Sequence, residues 1–155
     1  MTIKMTFLNL TASDFHGHYH VTSEKGIKTV KQAPGSVLKS MGGKQVLWVT
    51  QEFIPWYVRG NFHTSIFWYT PDWQVLFGVT ATAPLQFLTI GKRPYWGIGT
   101  NKNIQHGQMH WTKRLADQSK PYIWPDFKKF KITATPTVSH GNLEISVMIS
   151  TAGHN

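Results

Sequence analysis

In Leu143-Glu144-Ile145-Ser146-Val147-Met148-Ile149-Ser150, the residues Leu143, Ile145, Val147 and Ile149 fall at every second position. That period gathers the four side chains on one face of an extended strand, where a helix would scatter them, and leaves the other face wet. The same β-branched and aromatic enrichment returns between Gly, Pro, Asn and Asp punctuation. It marks Ile3 to Leu10, His16 to Thr22, Lys44 to Glu52, Phe62 to Tyr69, Gln74 to Thr80, Gln86 to Ile90 and Phe130 to Val138. Many short strands with regular turn signals predict an all-β chain, an antiparallel β-sandwich or small barrel with its function in the loops at one end. Ser139-His140-Gly141-Asn142 predicts a hairpin turn between the last two runs. Only His110 to Gln118 combines helix formers with a lack of Gly and Pro, so at most one short helix is expected, and a short helix or turn there. The stretch holding Pro84, Pro94, Gly97 and Gly99 reads as a loop-rich zone.

At 155 residues, with no repeat, linker or low-complexity tract, the chain reads as a single domain spanning 1–155. Cysteine is absent, which removes disulfides, thiolate nucleophiles, zinc ribbons and iron–sulfur clusters. The core must hold without staples, so roughly half of the seven tryptophans are expected inside it. Sixteen Lys+Arg against seven Asp+Glu give +9, which suits an anionic partner such as membrane headgroups and also serves solubility. No apolar run reaches the roughly 18 residues of a membrane span, and Thr2-Ile3-Lys4 leads into a strand instead of an apolar leader. Cytoplasmic synthesis without a signal peptide is therefore expected, with action outside the cell still open, and the Asn9-Leu10-Thr11 sequon is expected to be idle.

Little in the sequence calls for catalysis. The seven acids are scattered, with no local pair of the kind a glycosidase uses. No serine sits in a nucleophile elbow, and Gly97-Ile98-Gly99 lacks the third glycine of a dinucleotide fingerprint. His16-Gly17-His18-Tyr19-His20 puts three imidazoles on one face of a strand. Two such imidazoles can share a metal, yet the third ligand of a zinc site is missing, so the row is expected to face solvent with no metal and no cofactor implied. Imidazoles that gain charge on mild acidification would give such a row a pH-dependent surface. Aromatics beside cations form the better lead, at Trp56-Tyr57-Val58-Arg59, Lys92-Arg93-Pro94-Tyr95-Trp96 and Trp111-Thr112-Lys113-Arg114. Sugars, membrane interfaces and single-stranded nucleic acid all accept such groups, nucleic acid being the least expected of the three.

The order of Thr2-Ile3-Lys4, Met41-Gly42-Gly43, Phe77-Gly78-Val79, Phe130-Lys131-Ile132 and His140-Gly141-Asn142-Leu143 resembles the fungal fruit-body lectin family across nearly the whole chain. An extra segment of about a dozen residues lies between the second and third landmarks. The resemblance implies an actinoporin-like β-sandwich that binds cell-surface glycans without catalysis, used in defence or toxicity, and assembled as a homo-oligomer, dimer or tetramer. It also implies sites. In the first sugar pocket the family's Ser-Gly and His-Asn places hold Lys44-Gln45 and Thr80-Ala81; in the second, Phe87-Leu88-Thr89-Ile90 lacks the family's carboxylate. Tyr122 stands on the tyrosine's place, and Arg114 is the nearest match for the arginine. Lys44, Gln45, Thr80, Trp111, Arg114 and Tyr122 are thus the expected ligand contacts, with a changed ligand, because buried polar groups left unmatched cost affinity. The alternative from the same kinship is a membrane-lipid-headgroup-binding protein or cytolysin component, with aromatics and cations at the membrane surface and no insertion helix.

Overall fold

A computed structural model describes residues 2–23, 29–50, 61–72, 75–84, 94–100, 104–105, 108–109, 112–115, 122–127, 129–139 and 142–151. Fourteen strands follow in chain order: β1 (Thr2–Asn9), β2 (Phe15–Ser23), β3 (Thr29–Gln32), β4 (Val37–Leu38), β5 (Gly43–Thr50), β6 (Asn61–Tyr69), β7 (Leu76–Pro84), β8 (Tyr95–Thr100), β9 (Ile104–Gln105), β10 (Gln108–Met109), β11 (Thr112–Leu115), β12 (Tyr122–Phe127), β13 (Phe130–Ser139) and β14 (Asn142–Thr151). The first six-stranded sheet runs β12-β13-β14-β1-β5-β3, the second β11-β8-β7-β6-β2-β4, and β9 pairs with β10 alone.

Among the described residues all pairings are antiparallel except one. β1 and β14 run parallel in the middle of the first sheet, Thr2 beside Asn142 through to Asn9 beside Ile149. Parallel neighbours need a long crossover, and here it is nearly the whole chain. The alternation predicted for Leu143 to Ser150 holds, with Leu143, Ile145, Val147 and Ile149 buried and the residues between them exposed or half-buried. Ile3, Met5, Phe7, Leu47 and Val49 extend that inner layer, and Phe15, Phe62, Ile66, Trp68, Phe77, Val79, Trp96 and Ile98 face it from the second sheet. Burying each such side chain contributes about 1.5–3 kcal/mol, so the layer between the sheets holds the molecule without a cross-link. Trp68 shows how closely it is packed. Its cross-strand partner is Gly17, and a Cβ there would strike the Phe67 carbonyl and lie 2.5 Å from the indole.

Two sequence expectations are overturned. The short helix or turn expected within His110 to Gln118 is, over Thr112–Leu115, strand β11, paired antiparallel with β8. Helix propensity differences of a few tenths of a kcal/mol per residue yield readily to sheet pairing. The loop-rich zone likewise contains β7 up to Pro84 and β8, with Gly97 opposite Thr80 and Gly99 opposite Gly78. Glycine spacing marked close backbone neighbours there, not turns. The strand expected at Gln86 to Ile90 lies outside the described residues. The hairpin of β13 and β14 is formed, Ser139 pairing with Asn142.

Candidate functional site

Connections from both sheets meet at one end of the sandwich, where β1 ends and β2 begins. The β1–β2 connection is held by a buried polar cluster. The Asn9 amide donates to the Ser13 carbonyl at 2.7 Å and the Leu38 carbonyl at 3.1 Å, and its Oδ1 accepts from the Thr11 amide and hydroxyl at 3.0 and 2.7 Å. Both Asn9 and Thr11 are essentially inaccessible to solvent. The backbone amides of Met41 and Gly42 donate to the carbonyls of Thr11 and Asn9. Met41 and Gly42 take positive φ values of 60° and 104°, a left-handed turn that brings the β4–β5 connection onto this frame.

A cavity of ≈ 610 Å³ opens beside that frame, lined by Ser13, Asp14, Thr70, Pro71, Asp72, Val75, Lys129 and Phe130. Thr70 closes the β6–β7 connection: its amide donates to the Val75 carbonyl at 2.9 Å, its hydroxyl to Asp72 Oδ1 at 2.6 Å. Phe130 is 8% exposed and meets Phe15 edge-on at 5.4 Å, so the apolar wall of the cavity is continuous with the core. Asp14 accepts the Ser40 amide at 2.8 Å and faces Lys39 at 3.8 Å. The Ser40 backbone N–H holds its carboxyl below the ordinary value against the opposing pull of burial, helped by the Ser40 hydroxyl, Lys39 and His16. A glycosidase acid needs the opposite displacement, so Asp14 is set up as a hydrogen-bond acceptor. Two carboxylates, two hydroxyls and a lysine around Pro71, Val75 and Phe130 can pair hydroxyl groups while covering an apolar ring face.

The ligand contacts expected from the sequence do not gather here. Gln45 is a brace: Oε1 accepts the Gly35 amide at 2.8 Å, and Nε2 donates to the Val37 carbonyl at 2.9 Å. Lys44 is exposed on the outer face of the first sheet beside Leu8. Tyr122 lies on β12, four strand steps from β5 in that sheet, or about 19 Å away. Thr80 is half-buried in the second sheet, its hydroxyl donating to the Thr64 carbonyl at 3.3 Å. Arg114 is two strands away from it on β11, in the row of Trp96 and Ala81, one register step from Thr80. Trp111 lies outside the described residues. Thr80 and Arg114 thus occupy adjacent rows two strands apart, and adjacent rows alternate between the two faces of a sheet.

Asp14 and Asp72 were missed because sequence distance hid their convergence. Their local signals were legible: Ser13-Asp14 before a strand and Thr70-Pro71-Asp72 after one are turn chemistry. The histidine row faces solvent, His18 and His20 exposed and His16 half-buried. His18 stacks on Phe67 at 5.6 Å and His16 lies tilted against Tyr69 at 6.1 Å. Among the described residues no three His, Cys, Asp or Glu side chains converge to hold a metal ion. No protein-family model and no curated protein matches the sequence.

Proposed function

We propose that the protein is a non-enzymatic carbohydrate-binding protein, a lectin that recognises cell-surface glycans in defence or toxicity. The observation that carries this reading is the end cavity, where Asp14 and Asp72 stand beside the apolar Pro71, Val75 and Phe130. A pyranose presents hydroxyls around its edge and C–H groups on its face. Carboxylates accept the hydroxyl protons strongly, and an aromatic or apolar wall covers the face. The resemblance to the fruit-body lectins agrees with this reading in kind and not in its residues, since Lys44, Gln45 and Thr80 are absent from the described lining of the cavity.

The test is binding of labelled protein to a mammalian and fungal glycan array beside glycan-free liposomes of choline and anionic lipids at equal salt. Saturable array binding that free sugar competes away is the expected result, with Asp72→Ala weakening it about tenfold or more. A blank array with bound liposomes would replace the reading by the second one, lipid-headgroup binding as a membrane-surface protein. That reading is favoured by Leu10 and Met41, which stand 46% and 78% exposed on the hydrogen-bonded frame beside the cavity, with Lys39 and Lys44 near them. Exposed apolar tips with flanking cations suit an anionic headgroup layer.

A further inference from the structure

The outer face of the first sheet carries one ionic row on its midline, with Lys44 and Lys131 to either side of that midline. At its centre β1 and β14 lie side by side and in register, and their outward residues form four rows: Thr2 with Asn142, Lys4 with Glu144, Thr6 with Ser146, Leu8 with Met148. Every row joins chemically matched groups, polar with polar, cation with anion, hydroxyl with hydroxyl, apolar with apolar. The seam between β1 and β14 is also the midline of the sheet, with β13 and β12 on one side and β5 and β3 on the other. A two-fold axis parallel to the strands and over that seam therefore lays each row on its own reversed copy. Lys4 then faces Glu144 of a second molecule, Leu8 faces Met148 and Thr6 faces Ser146, each contact occurring twice, as an isologous interface requires.

Within one chain the ionic row is left open. Lys4 turns away from Glu144 toward β5, its Nζ over the Trp48 ring at 5.3 Å, and Glu144 stands exposed. Large apolar side chains are exposed on the same face, Trp48 at 37%, Met148 at 38% and Ile123 at 49%, around a centre of Thr6, Ser146 and Thr135 that carries no charge. Exposed apolar groups around an uncharged centre, with the Lys4–Glu144 row beside it and Lys44 and Lys131 farther out, suit a protein interface that pairs its charges. Six strands of about eight residues give a footprint of about 750 Å² per copy, close to the roughly 800 Å² per partner of a stable complex. The sheet's edges do not offer the same contact: β3 has a register shift between Val30 and Gln32, and β12 another between Trp124 and Phe127 around Pro125. Irregular edges with proline resist strand addition.

We infer that two copies of the chain associate face to face through the outer faces of their first sheets, about a two-fold axis along the β1–β14 seam. The end cavity lies away from this face, so the inference stands independently of the glycan reading. The decisive experiment is sedimentation equilibrium of the full chain over a wide concentration range, expected to show a species of twice the 17.7 kDa chain mass. Met148→Glu should give the monomer. Lys4→Glu and Glu144→Lys should each raise the dimer dissociation constant about tenfold, because each sets two like-charge contacts against one another. The exchanged pair Lys4→Glu/Glu144→Lys should return it to within about threefold of the parent. These positions face outward, so thermal unfolding at dilution should shift only slightly, chiefly where the Lys4–Trp48 contact is lost. A monomer at every concentration, a dimer indifferent to Met148→Glu, or single charge variants that the exchange does not rescue would each overturn the inference.

Discussion

The outer faces of the two sheets share a period of two and carry different chemistry. On the first, Thr6, Ser146, Leu8 and Met148 form an uncharged middle, with Lys4 and Glu144 in the neighbouring row. On the second, His16, His18 and His20 run along β2 beside Tyr69, Phe67 and Ser65 of β6, and the His63 ring shares a 2.8 Å hydrogen bond with Thr82. The inner faces of both sheets are predominantly apolar by comparison, with Thr64 and Asn9 among their few polar residues. Burial therefore dictates one side of each strand and leaves the other to recognition. The first outer face sets one ionic row beside uncharged ones; the second presents ring edges and imidazoles to solvent.

The sharpest way to break that division is within β2, where neighbouring residues belong to opposite faces. Gly17→Ala puts a methyl group against the Phe67 carbonyl and the Trp68 indole, which is also packed edge-on to Phe7 at 5.5 Å. Overpacking against backbone relaxes poorly, so a loss of about 3 kcal/mol in unfolding free energy is expected. His18→Ala, one position on, removes only a solvent-side stack with Phe67 and should cost less than about 1 kcal/mol. Urea denaturation of both variants measures the contrast directly. Equal losses would mean that the second outer face contributes to the core after all.

Next in size is Asn9→Ala, at the last residue of β1. Its amide serves the Ser13 and Leu38 carbonyls and its oxygen the Thr11 amide and hydroxyl, all in a site without solvent. Leaving those groups unpaired should cost about 2–3 kcal/mol. Amide exchange would show where the effect falls. Met41 and Gly42, whose amides bond to the Thr11 and Asn9 carbonyls, should lose protection, while β14, hydrogen-bonded along the rest of β1, should lose little.

The same distinction explains what could be read from the sequence. Alternation in β14 revealed its inner face, since burial stamps a period of two on the residues themselves. The parallel pairing of β14 with β1 left no such mark, because it joins residues from opposite ends of the chain. β3 is short and polar and β4 has only two residues, so neither shows a period, and Gln45, expected to touch ligand, holds the segment bearing β4 through Gly35 and Val37. Gly97 and Gly99 misled in the other direction. They look like turns, yet β8 pairs through them with Thr80 and Gly78 of β7. The cavity needed topology most of all: Asp14, Asp72 and Lys129 come from three separate connections, and only the closing of the sandwich brings them together.

The smallest effect tests whether charge at the end cavity reaches one outer face without reaching the other. Asp14 is linked to the second sheet through His16, the first of the histidine row, and to the β4–β5 connection through Ser40 and Lys39. Its carboxyl sits below the ordinary value in the folded chain, first through the Ser40 N–H. A depressed acid contributes stability that is present above its unfolded value near about pH 4 and is lost as pH falls through the folded value. The parent should therefore be more stable than Asp14→Asn at pH 7, with the gap between their urea midpoints closing under acid conditions below about pH 4. Asp14 is open to solvent, so the part of the gap due to Lys39 and His16 should shrink in high salt, while the part due to the Ser40 hydrogen bond should persist. Self-association through the β1–β14 seam should be unaffected, since no row of that seam contains Asp14 or a residue it contacts. A gap that stays constant down to strong acid would assign the role of Asp14 to shape instead of charge, and a shifted dimer constant would show that the two faces are not independent.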